Sequence, residues 1–81
     1  MSVETVDFLA MVRRMIRAAG KRVGDADEVE LRELFSLRAN LDSAIDEAIR
    51  GQRDLGRSWQ AIADATGTTR QAAHARYGPR Q

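Results

Sequence analysis

The chain of 81 residues has no cysteine, one histidine, one proline and one lysine. Without thiols there is neither a disulfide scaffold nor a thiolate metal site. His74 alone cannot build a histidine metal centre. No apolar run approaches the roughly 18–20 residues that span a bilayer. The opening "MSVETVDF" places Glu4 and Asp7 where a secretory leader carries basic residues. These absences predict a soluble cytoplasmic protein with no membrane partner, no metal and no cofactor. There is no nucleophile–base pair, metal cluster or phosphate loop, so an enzyme is not expected.

Charge is abundant and segregated, although the formal net value is only +1. Residues 1–24 carry five basic and two acidic side chains, net +3. Residues 25–49 carry eight acids against Arg32 and Arg38, net −6, and residues 50–81 carry six Arg against Asp54 and Asp64, net +4. A basic C-terminal third suits a polyanion.

With proline scarce and apolar residues at three-to-four spacing, the expected fold is all-α, a single domain over 1–81. An amphipathic first helix is predicted from about Val3 to Ala19, its stripe formed by Phe8, Met11, Val12, Met15, Ile16 and Ala19, with Gly20 as the C′ residue. Asp25 then reads as an N-cap paired with Glu28. A long second helix follows, with Leu31, Leu34, Leu41, Ile45, Ala48 and Leu55 on one seam and Gly51 as its one candidate bend. Asp46 and Arg50 are spaced to pair on it. Residues 1–40 are expected to serve packing and dimerisation, with a homodimer formed through the first helix and the Leu31–Leu41 seam.

Residues 41–78 contain the informative constellation. "SWQAIADATGTTRQAAHARYG" has two short helical patterns separated by Gly67, Thr68 and Thr69, the layout of a helix-turn-helix. Ala63 and Ala73 are small enough for a close helix crossing, Ile62 is an apolar anchor, and Trp59 and Tyr77 stand at the two ends. The last helix, about 69–77, then presents Thr69, Arg70, Gln71 and His74 outward from its N-terminal side. Such residues reach base edges in the major groove, Arg pairing with guanine and Gln with adenine. Arg53, Arg57, Ser58, Thr68 and Arg76 are candidates for phosphate contacts. The acids Asp42, Asp46 and Glu47 read as a solvated face.

The segment Ser58–Gly78 resembles the helix-turn-helix of many small bacterial regulators and of the sigma-factor region that reads promoters. Leu41–Gly78, with its "TTRQAA" core, is similar to short helix-turn-helix proteins of actinobacteria and their phages. The resemblance implies sequence-specific binding of double-stranded DNA through Thr69, Arg70, Gln71 and His74, a transcriptional regulator associated with the nucleoid. Thr66, Thr68 and Arg76 depart from it, standing where such proteins more often place aliphatic residues. Two other readings use the same residues: a protein–protein module, in which a partner covers the helix-turn-helix, and an architectural or excision-accessory DNA-binding protein.

Overall fold

The computed structural model describes residues 3–79, and those residues form an all-α chain of four helices: α1 (Val3–Gly24), α2 (Glu28–Asp54), α3 (Trp59–Thr66) and α4 (Arg70–Tyr77). The chain divides into two compact units, Met1–Ala39 and Asn40–Gln81.

Unit 1 holds α1 and the part of α2 up to Ala39. The first helix does not stop at Gly20; it continues to Gly24. Val23 extends the apolar stripe by another turn and is half-buried, while Lys21 and Arg22 place positive charge on the last turn, where the helix dipole favours it. Together these offset the roughly 1 kcal/mol that an internal glycine costs a helix. Asp25 is not the cap of α2. Its amide is taken by the Arg22 carbonyl at 3.2 Å, and α2 starts two residues later than expected. Asp27 precedes the helix instead, and its N–H donates to the Glu30 carboxylate at 2.7 Å, the backward half of a capping box.

None of the described residues of unit 1 is buried, and within it α1 does not pack along α2. Leu34, Ala10, Val12 and Ala19 are half-buried; the larger stripe residues are exposed. Arg38, a polar break in the seam, lies with its guanidinium 5.8 Å from the Phe35 ring.

Among the described residues the buried ones all belong to unit 2: Ile49 from α2, Ile62 and Ala63 from α3, and Ala73 from α4. Gly51 does not break α2, which runs through it to Asp54; the Gly51 carbonyl still accepts the Leu55 N–H at 3.1 Å. The helix ends in a Schellman motif around Gly56. There Gly56 N–H bonds to Arg53 O at 2.9 Å, Arg57 N–H reaches Gln52 O at 3.0 Å, and Gly56 takes φ +87°. Asp46 and Arg50 do not pair, and no ion pair forms among the described residues.

Candidate nucleic-acid interface

Each of the two short helices is delimited by its own sequence. Ser58, with extended backbone (φ −76°, ψ 159°), accepts the Ala61 N–H on its hydroxyl at 3.0 Å and starts α3. Gly67, at φ +70°, ends it, and Thr68 N–H closes back on Ala63 O at 3.0 Å. Thr69 repeats the Ser58 arrangement for α4, its Oγ1 accepting the Ala72 N–H at 3.1 Å. Only three residues separate the helices, so α3 and α4 must approach closely. Ala63 and Ala73 permit it, at 0% and 1% exposure. A larger side chain at either position would hold the helices apart.

Thr66, one of the three departures from aliphatic residues, is accommodated by geometry. Its hydroxyl donates to the Ile62 carbonyl at 2.8 Å, so the polar group is satisfied within its own helix. At the far end Gly78 donates its N–H to His74 O at 2.7 Å, and a Cβ at that position would run into the same carbonyl oxygen. Glycine is required here by close approach and not by backbone angle, since φ is −71°.

The core sets the orientation of α4. With Ala73 buried and Tyr77 half-buried, Arg70, Gln71, His74 and Ala75 are left on the exposed side. A groove of about 640 Å³ runs between this side of α4 and the start of α3. Arg70, Gln71, His74 and Ala75 line it from α4, and Ser58, Trp59 and Gln60 from the other side, with Arg53 reaching in from α2. No carboxylate is among the lining residues, so two guanidinium groups and an imidazole set its electrostatic character.

Arg53 is held in place. Its Nη1 donates to the Arg57 carbonyl at 2.8 Å, and its guanidinium lies 4.9 Å from the Trp59 ring centroid. Trp59 in turn meets His74 edge-on, with centroids 5.2 Å apart and planes at 77°. The sequence sets Trp59 at one end of the helix pair and His74 toward base edges. The structure joins them, with Arg53, into one stack linking the end of α2 to the middle of α4. Trp59 is half-buried, with one face against the guanidinium. The stack could not be read from spacing, because the turn at Gly56–Arg57 that brings residues 53 and 59 together has no regular period. Gln60 is a lining residue that the sequence reading did not select; its amide is tied to Asp64 Oδ1 at 2.8 Å.

Of the nine candidate contacts, Arg53, Ser58, Arg70, Gln71 and His74 line this one groove. Thr69 caps α4 beside it, while Arg57 and Thr68 are exposed in the turns flanking α3. Arg76 is not in the lining of this groove, although Arg53 and Trp59 border both its groove and this one. It lines a second groove of about 560 Å³ with Asp42, Asp46 and Asp54, its guanidinium 5.7 Å from the Tyr77 ring. Three carboxylates there stand against the guanidinium groups of Arg50, Arg53 and Arg76, whereas the first groove has no carboxylate in its lining. Among the described residues no group of histidine, aspartate and glutamate has the arrangement of a metal site. No helix among them is long and apolar enough to cross a membrane.

Compared with known protein families, curated proteins and solved structures, the chain matches none of them.

Proposed function

We propose that this protein binds double-stranded DNA in a sequence-specific way, with α4 in the major groove, and regulates transcription as a homodimer on the bacterial nucleoid. One observation carries the reading. Arg70 and Gln71 project, exposed and engaged in no side-chain hydrogen bond with any described residue, from the first turn of a helix whose orientation is fixed by a capped and alanine-crossed core. Side chains that stabilised the fold would be engaged; these two are available, at the end of the helix that enters the groove in this docking mode. Bidentate pairing of Arg with guanine and of Gln with adenine is worth about 1–3 kcal/mol each in discrimination. Arg53 and Ser58, on the facing side of the same groove, supply contacts for a phosphate, which position the helix without specifying sequence.

One helix of eight residues reads only a few base pairs. Two copies on half-sites about one helical turn apart give the length that specificity needs. The reading assigns no catalytic role to any residue.

The test is selection from a random duplex pool at near-physiological salt, run in parallel on the wild type and on Arg70→Ala/Gln71→Ala. Enrichment of a motif, as an inverted repeat, by the wild type and its loss in the variant is the expected outcome. Binding without enrichment, abolished by modest added salt in both proteins, would leave only non-specific attraction. A protein partner for α4 would then be the better reading.

A further inference from the structure

We propose that unit 1 is one half of a two-chain helical bundle, in which α1 of each copy packs against the first part of α2 of the other. This rests on the homodimer reading and specifies which surfaces meet; it is independent of how α4 reads DNA.

The apolar material for an interface is in unit 1. Phe8, Met15 and Ile16 on α1 are 58%, 62% and 51% exposed, and Leu31, Phe35 and Leu37 on α2 are 46%, 59% and 47% exposed. Apolar stripes of this length are not left open to water in stable monomers.

Charge identifies the occupant. Residues 1–24 are net +3, while residues 25–39 carry five acids against Arg32 and Arg38, net −3. The first helix is thus net basic and the following segment net acidic, with Asp25 and Asp27 in the turn and Glu28, Glu30 and Glu33 against two Arg in α2 itself, yet no ion pair forms between them among the described residues. A second copy supplies both complements at once: its α2 for this α1, and its α1 for this α2. Pairing α1 with α1 would set +3 against +3, and pairing residues 25–39 with themselves would set acid against acid, so the contact is between unlike segments. DNA or an anionic membrane surface would be drawn to α1 but not to the net acidic residues 25–39, and would cover only half of the apolar surface.

The experiment is sedimentation of the full chain from low to high micromolar concentration, with helicity followed in parallel by circular dichroism. Two charge-reversed chains are compared with the wild type: Arg13→Glu/Arg14→Glu/Arg17→Glu in α1, and Glu28→Lys/Glu33→Lys in α2. Glu30 and Asp27 are left alone because they cap α2. The wild type should be a dimer, and each variant alone should dissociate about tenfold more readily or worse, since several exposed pairs change sign on both sides of a two-fold axis. An equimolar mixture of the two variants should recover both the dimer and any helicity lost by either alone. So should one chain carrying all five substitutions.

A wild-type dimer indifferent to both variants would overturn the pairing of unlike helices while leaving the homodimer standing. A wild-type monomer at high micromolar concentration, with its helices intact, would overturn the bundle and the homodimer together. The base preference within one half-site, which the Arg70→Ala/Gln71→Ala comparison reads, depends on α4 and is tested separately.

Discussion

Replacing Gly51 and Gly67 with alanine should move stability in opposite directions. A Cβ at either position meets nothing within 4 Å, so packing does not enter and only the backbone decides. Gly51 lies inside α2, where alanine is favoured over glycine by about 1 kcal/mol. Gly67 sits at φ +70°, ψ 31°. An L-residue there costs about 1–2 kcal/mol. Reduced freedom of the unfolded chain returns about 0.4–1 kcal/mol of that. The net loss for Gly67→Ala is therefore about 1 kcal/mol, and the two variants should differ by about 2 kcal/mol. For a domain of this size each kilocalorie shifts the melting temperature by about 4–8 °C. Thermal melts followed by far-ultraviolet circular dichroism, at one fixed protein concentration, resolve such a difference easily. Gly67→Asn should fall between wild type and Gly67→Ala, because asparagine tolerates the left-handed region. If Gly51→Ala melts at or below the wild type, α2 is not a regular helix through residue 51. If Gly67→Ala matches the wild type, the left-handed turn between α3 and α4 is wrong, and the placement of Arg70 fails with it.

Five further substitutions test the unit that carries the groove. Ala63→Leu inserts three carbons where exposure is 0% and Ala73 is the neighbouring small residue; it should cost about 1–3 kcal/mol in urea denaturation, while Ala65→Leu, on the exposed side of α3, should cost little. Ser58→Ala and Thr69→Ala each remove one capping bond and should lower the urea midpoint by the equivalent of about 1 kcal/mol with unchanged slope. Arg53→Ala should reduce the dependence of duplex affinity on the logarithm of salt concentration by about one unit, with no change in the selected motif. A changed motif would make Arg53 a base contact and not a phosphate contact.

The two short helices were legible because every boundary between Ser58 and Gly78 is marked by a residue with a local reason to be there. Ser58 and Thr69 carry the capping hydroxyls, Gly67 takes the positive φ, and Ala63 and Ala73 stand at the crossing. The turn between α1 and α2 was not legible in the same way. The run "DADEVE" contains two overlapping capping boxes, Asp25 with Glu28 and Asp27 with Glu30, and composition cannot choose between them. The choice depended on how far α1 runs past Gly20, which commits the Asp25 amide to the Arg22 carbonyl. The expected seam of α2 left out Ile49, which is the residue of that helix the structure buries, and periodicity cannot say whether a seam's cover lies within the chain. The Arg53–Trp59–His74 stack escaped because it joins three elements through a turn, and side-chain spacing carries information only along one helix.

That stack also has a spectroscopic consequence. Trp59 is the chain's one tryptophan and Tyr77 its one tyrosine, and both belong to unit 2. Excited at the red edge of its absorption, the unlabelled protein emits from a single fluorophore at the wall of the groove, between a guanidinium and an imidazole. A duplex that entered the groove would change the polarity and quenching around that indole directly. Unit 1 contains phenylalanine as its only aromatic type, so it adds no emission in that range. The molecule thus has a built-in optical reporter of groove occupancy, and association can be followed separately by mass.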